Sequence, residues 1–286
     1  MPAGSVPDIL ARLLSERLGP LWGVPVVVEN RPGAGGAIGV EAAVRAAPDG
    51  HTLLLGSSGP IAILPAVNRR LSYDPMRDLA TVARVADFPL VFLASSASGL
   101  RSFPDLLARG RSAEEPLDYA GGDIGSTQHL SGALLVTRAG IRLNHVPYRG
   151  GGLAQADLIA GRIPVMVDSL SAVLRTIQDG KAVALATCGT RRAVQMPDVQ
   201  TVDESVPGYE STGWMGVFAP PGTPPPIVAG ISDAVTEVVR DPAMAARITA
   251  AGSDPFAQDH STFRAFVAAE LAKWKRLSDI AGIVVE

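Results

Sequence analysis

Four short runs of Gly, Ser and Thr stand where extended segments should give way to helices: residues 3–5, 56–59, 125–127 and 148–152. The first turn of a helix leaves backbone N–H groups unpaired and carries partial positive charge. Such a turn holds a carboxylate or phosphate without a cationic side chain. The hydroxyls of Ser5, Ser57, Ser58, Ser126 and Thr127 would add donors. The chemistry implied is an uncharged, donor-rich seat for a small anion. Any one of these runs is also ordinary turn and capping chemistry. Four at equivalent places favour a site, because ligands of open α/β sheets bind beyond the carboxyl ends of the strands. Asp168, at the end of a β-branched run, suits a helix cap and equally an acceptor for a ligand amine, a hydroxyl or a water. Arg149 suits a carboxylate partner or a solvated loop cation.

Other chemistries are poorly served. Cys188 is the only cysteine, which excludes an intrachain disulfide and a cysteine-based zinc site. The four histidines, His51, His129, His145 and His260, are dispersed with no pair at ligand spacing. No cofactor and no metal are therefore expected. His129, one turn into a helix, reads as a packed or capping side chain, and His145 as core. Trp214 and Phe218 read as packing. Gly33-Ala34-Gly35-Gly36-Ala37-Ile38-Gly39 has the flavour of a dinucleotide loop. Its third glycine comes one position late for G-x-G-x-x-G, four residues intervene after the strand, and no acid ends the next strand. Ser126 and His129 lie three apart, but no G-x-S-x-G elbow exists. A dehydrogenase and a serine hydrolase are the weaker alternatives, and no enzyme activity is expected.

The elements that must position these runs alternate between strand and helix. The spacing of Ile9, Leu10, Leu13, Leu14 and Leu18 predicts a helix over 7–18, closed by Gly19. Residues 24–28 predict a short buried strand, 37–47 a small-residue helix, and 51–55 another strand. Asp118-Tyr119-Ala120 opens into a glycine loop followed by a helix to about Arg138. Residues 144–147 lead into the loop at 148–152 and a helix to Ala160. Residues 163–167 form a strand ending at Asp168-Ser169. This alternation implies parallel sheets built from βαβ units. Residues 219–226, with Pro at 220, 221 and 224–226, form a stiff linker. Mostly helices follow. The last carries Phe263, Phe266, Val267, Leu271, Trp274, Leu277 and Ile280 on one stripe, to dock on a sheet. At 286 residues, 47% of them hydrophobic, the chain has material for two domains. A net charge of -3, with scattered Lys and Arg, gives no case for nucleic acid. No apolar run reaches the ~18 residues of a membrane span.

A resemblance joins these segments. It is carried by Pro2-Ala3-Gly4-Ser5 with Asp8-Ile9-Leu10-Ala11-Arg12, by Val26-Val27-Val28-Glu29-Asn30-Arg31-Pro32-Gly33-Ala34-Gly35-Gly36, and by Ala47-Pro48-Asp49-Gly50-His51-Thr52. Gly125-Ser126-Thr127-Gln128-His129-Leu130, His145-Val146-Pro147-Tyr148-Arg149-Gly150 and Val167-Asp168-Ser169-Leu170 continue it. Pro197-Asp198-Val199, Pro207-Gly208-Tyr209-Glu210 and Phe218-Ala219-Pro220-Pro221-Gly222-Thr223-Pro224 complete it. In this order the chain resembles the Bug family of solute receptors, the substrate-binding components of tripartite tricarboxylate transporters. The resemblance implies an α/β, type II periplasmic-binding-protein fold of two lobes with a ligand cleft between them. Lobe one would hold residues 1–95 and 219–286, lobe two residues 96–218, with crossings near Ser95 and Phe218. It implies a monomeric periplasmic receptor that captures a small carboxylate by closing on it and delivers it to membrane permease subunits. The same fold in other settings presents ligand to a signalling partner, which stands as the alternative. Carried over residue by residue, the ligand contacts are Gly4, Ser5, Ser57, Ser58, Ser126, Thr127, Tyr148, Arg149, Gly150 and Asp168.

The chain departs from the pattern in three places. An export signal and a first strand, expected ahead of the loop at Pro2, do not precede it in this sequence. The consequence expected is an open groove beside the strands of lobe one, with unpaired backbone groups costing about 1–3 kcal/mol each. A version carrying that strand should be more stable. Asp123-Ile124 replaces small polar residues and reads as a cap, and Gly151-Gly152 loosens a loop that is usually stiffer.

Overall fold

A computed structural model describes residues 5–112, 114–148 and 150–283. Gly4 and Arg149 lie outside the described residues. In chain order the described elements are α1 (Val6–Trp22), α2 (Ala37–Val44), β1 (Leu54–Ser57), α3 (Leu64–Val67), α4 (Pro75–Asp78), β2 (Ala80–Phe88), β3 (Leu90–Ser95), α5 (Phe103–Ser112), β4 (Leu117–Gly121) and α6 (Thr127–Ala139). They continue with β5 (Leu143–Pro147), α7 (Gly151–Ile159), β6 (Val165–Ser169), α8 (Leu170–Gln178), β7 (Ala182–Thr187), β8 (Gly213–Ala219), α9 (Pro225–Arg240), α10 (Pro242–Ala250), β9 (Asp254–Gln258) and α11 (His260–Ala281). The chain forms two units. Unit 1 runs to Asp87 and resumes over Trp214–Arg276, while unit 2 holds Phe88–Gly213 and the residues from Leu277. The passages between units thus fall at Asp87–Phe88, at Gly213–Trp214 and, within α11, at Arg276–Leu277; the sequence reading places two, near Ser95 and Phe218. Strand pairing sets the first two. β3 belongs to the sheet of unit 2 and β8 to the sheet of unit 1.

Unit 2 has the sheet order β5-β4-β6-β3-β7. β4 runs parallel to β5 and β6, as βαβ units require, but β3 runs antiparallel to both β6 and β7. The expectation of parallel sheets therefore holds only where a helix carries the chain back over the sheet. β3 arrives directly from β2 and is free of that constraint. The core of the unit packs Val91, Leu93, Leu158, Met166 and Val173, all buried. Gly132 fixes how closely α6 lies on β4. A Cβ there would fall 2.2 Å from the Tyr119 ring.

Unit 1 has the order β1-β8-β2-β9, with β1–β8 and β2–β9 antiparallel. Pro7 and Asp8 favour the first turn of α1, and Leu10, Leu13, Leu14 and Leu18 bury one stripe of it. Each such side chain contributes about 1.5–3 kcal/mol. The helix does not stop at Gly19. It runs through Pro20 to Trp22 and ends at Gly23, whose φ of 68° forms the left-handed cap. Residues 24–28 are not a strand: Val27 is 84% exposed and Val24 50%. A strand needs a backbone edge to pair with, and residues 26–28 and 53–55 line a common groove of about 440 Å³. Leu14, Leu18, Val26, Val28, Leu53 and Leu55 are among its lining. Asn30 ties the far wall to α1 by donating to Asp8 at 2.9 Å.

The last helix docks largely as its pattern predicts. Phe263, Val267, Trp274 and Leu277 are buried, whereas Ile280 is 62% exposed. The stripe also contains a charge. Glu270, 4% exposed, accepts through Oε2 from the indole N–H groups of Trp214 and Trp274, each at 3.0 Å. Its other oxygen pairs with Lys273.

Candidate functional site

β4 ends at Gly121 and α6 begins at Thr127, so residues 122–126 must reverse the chain within one short loop. Gly125 supplies the turn with a φ of 82°, where a side chain would be strained. Ser126 has the extended backbone of an N-cap, and its Oγ accepts the N–H of His129 at 3.2 Å. His129 answers with its ring: Nδ1 accepts the N–H of Gly125 at 3.0 Å. The arrangement resembles a capping box, but the imidazole accepts from Gly125, one residue before the cap, while the Ser126 N–H bonds the Asp123 carbonyl. The cap satisfies one donor of the first turn and leaves others. The N–H groups of Thr127 and Gln128 have no partner among the described residues. These amides stand where the run at 125–127 leads one to expect a seat for an anion, and such a turn can hold one with no cation.

Asp168 is joined to the start of α6 through Gln128. It lies buried at the end of β6, and Oδ1 accepts from the Ser169 N–H at 2.8 Å and from Gln128 Nε2 at 3.2 Å. Its second oxygen rests on the start of α7, where a Cβ at Gly151 would fall 2.5 Å from Oδ2. Glycine at 151 is thus a fitting condition for Asp168 rather than slack in the loop. Burial raises the Asp168 carboxyl above the ordinary range, and the bonds from Ser169 and Gln128 oppose that rise. The two helix starts are therefore unlike. The start of α7 faces the protein's own acid, while the start of α6 carries open amides. An acid group fits the second, and a ligand hydroxyl, amine or water fits the acceptor at Asp168.

The other expected contacts of unit 2 are placed differently. The Tyr148 hydroxyl donates to Asp157 Oδ2 at 2.7 Å, and Asp157 is also held by Arg162. Burial, then Asp157, holds the Tyr148 phenol above its ordinary range. That hydroxyl is already engaged within the unit. Gly150 is the residue before α7 and leaves its first turn without a side-chain cap. Gln128, which the sequence reading does not single out, is the residue that links α6 to Asp168. Its position, one residue into a helix whose start is a predicted seat, was the available signal.

In unit 1, β1 is Leu54–Ser57, so Gly56 and Ser57 lie in the sheet rather than in a loop. Gly56 pairs with Gly216 and has no room for a Cβ beyond 3.0 Å from Ile61 and Phe218. After the strand the chain makes one wide π-helical turn, Gly59–Ile63, before α3. Ser57 is buried and Ser58 fully so, and the Ser58 hydroxyl has no hydrogen-bond partner among the described residues. A buried unpaired hydroxyl costs about 1–3 kcal/mol and calls for an explanation. Ser5 starts α1 through its carbonyl, which accepts from Ile9 at 3.0 Å, and its side chain does not cap the helix.

Between residues 10 and 283 the chain matches the model of the tripartite tricarboxylate transporter family receptor. The chain belongs to that receptor family. BugT of Bordetella pertussis is 34% identical to this receptor over the whole chain and 86% of BugT. Among solved structures, R. palustris Rpa4515 with adipate is 30% identical at a TM-score of 0.84, covering 99% of this chain and 95% of that one. MatC from Rhodopseudomonas palustris, with bound malate, is 29% identical at a TM-score of 0.76, covering 96% and 95%. The receptor therefore has the α/β type II fold of periplasmic solute-binding proteins, as its motifs imply. Receptors of this family are solute-binding proteins and not enzymes. The weaker dehydrogenase and hydrolase alternatives fall with that assignment.

Proposed function

We propose that this receptor captures a small organic carboxylate at the βα junctions and passes it to the membrane permease subunits of a tripartite tricarboxylate-type transporter. The observation that carries the reading is the start of α6, where the N–H groups of Thr127 and Gln128, beside the N-cap Ser126, have no partner among the described residues. The adipate and malate in the two structural neighbours support an acid of that class. In unit 2 the proposed contacts are Ser126, Thr127, Gln128, Gly150 and Asp168, with Tyr148 and Arg149 retained from the family pattern. In unit 1 they are Gly4, Ser5, Ser57 and Ser58, the orphan Ser58 hydroxyl being the strongest of these. The proposed protein works as a monomer in the periplasm. Among the described residues no helix is long and apolar enough to cross a membrane.

Calorimetry with adipate and malate tests this reading. Ser126→Ala with Thr127→Ala should weaken the tighter of the two by about tenfold, the worth of one hydrogen bond to a charged group. Loss of the Ser126 cap alone should lower stability by about 1 kcal/mol, so melts are run alongside. Unchanged affinity in a folded double variant would remove the two hydroxyls from the proposed contacts, and heat from neither acid would count against the site.

A further inference from the structure

The β4–α6 loop is held from behind by two imidazoles. His129 on α6 and His145 on β5 stack at 4.0 Å between ring centres and 21° between planes. His129 Nδ1 accepts the N–H of Gly125 at 3.0 Å, and His145 Nε2 lies 3.1 Å from the carbonyl of Gly122. One ring thus grips each end of the segment 122–125. The fit is close: a Cβ at Gly121 would fall 2.9 Å from His145 Nε2. Tyr119 of β4, the register partner of His145, packs its ring 5.2 Å away and donates to the His129 carbonyl at 2.9 Å.

We infer that His129 and His145 are a positioning pair, which shapes residues 122–126 so that the first turn of α6 presents its amides to an acid group. The inference rests on the proposed reading of α6 as the carboxylate seat. Its chemical requirement is a neutral His129. An acceptor nitrogen at Nδ1 exists only in the neutral ring with its proton on Nε2. The Gly122 carbonyl asks for the same tautomer of His145. Protonating His129 would replace an acceptor by a donor facing the Gly125 N–H, and that bond would open. The groups facing the pair are Tyr119 from β4, Asp123 from the loop, and Asp168 of β6 reached through Gln128. Burial and the neighbouring His145 hold His129 down to about 4. Burial also lowers His145, while the Gly122 carbonyl and Asp123 oppose that shift. Burial first, and the stacked partner second, thus keep the acceptor in service through mildly acid solution.

The test is an NMR titration of the full chain, read at the imidazole nitrogens and at the Gly125 amide, followed by calorimetry with adipate. His129 should titrate below the ordinary histidine range of about 6.5, and the Gly125 amide should move with it. His145→Asn should shift both transitions toward neutral pH. His129→Ala should weaken adipate about fivefold at pH 7, the usual size of a lost cap, and His129→Gln should restore binding. Relative to the His129→Gln variant, wild type should lose adipate affinity as the His129 transition is approached, a comparison in which the protonation of adipate cancels. A Gly125 amide indifferent to the His129 transition would overturn the pair, as would equal pH profiles for wild type and His129→Gln. Adipate that leaves the Thr127 and Gln128 amides unmoved would instead sink the carboxylate reading beneath it, with the titration of the pair still measured.

Discussion

Asp168 is the residue at which the proposed binding role and stability meet. It is an acid buried beside the start of α6, the proposed carboxylate seat. Its carboxyl is raised by burial, so the unfolded chain, where the group is more acidic, is favoured as pH climbs from the ordinary value toward the raised one. The folded state therefore loses stability through that window and does not regain it at neutral pH. Asp168→Asn keeps an oxygen to accept from Ser169 and Gln128 and removes the buried charge. It should melt no lower than wild type at pH 7 and higher by a few degrees if the charge dominates. It should also weaken ligands that bring a hydroxyl or amine more than a plain diacid, so malate should lose more than adipate in calorimetry. A lower melting point, with malate and adipate equally affected, would make the role of Asp168 purely structural. The sequence could place Asp168 at a strand end and leave cap and acceptor both open. The structure does not make it a cap: Ser169 is the N-cap of α8, and among the described residues Asp168 Oδ1 accepts only the Ser169 N–H and Gln128 Nε2, while its other oxygen faces α7. The role of Gln128 was not legible, since a glutamine inside a helix start looks like any solvated residue until β6 is packed beside it.

Helices were easier to read than strands, for a physical reason. The stripe of α1 is set by its own residues, and Leu10, Leu13, Leu14 and Leu18 are buried as their spacing implies. Val24 to Val28 had the composition of a strand, but strand formation depends on an edge contributed by another segment. Here residues 25–30 are in no strand and residues 26–28 line a groove with 53–55, so composition misled. The direction of β3 was likewise beyond local pattern, since it depends on which strands it meets. Glu270 marks the same limit within α11. The apolar positions around it predict a dry stripe, and the two indoles that make a buried carboxylate acceptable come from α11 and from β8. Glu270→Ala would leave both indole N–H groups unpaired and remove a buried anchor, so it should cost about 2–5 kcal/mol of stability in chemical denaturation. A change within about 0.5 kcal/mol would mean that water replaces the carboxylate at no cost.

At the scale of the molecule, composition excluded more than it identified. A net charge of -3 and a lone, buried Cys188 removed nucleic-acid and disulfide readings. The ordered set of weak motifs then carried the family, and the fold followed from it. What remained physical rather than familial was the claim that peptide amides at the junctions between strands and helices are enough to hold an acid. Crystals grown with adipate or malate test it most directly. The account predicts carboxylate oxygens within about 2.7–3.2 Å of the Thr127 and Gln128 nitrogens. Density for the acid elsewhere on the receptor, with those two amides bonded only to water, would contradict it.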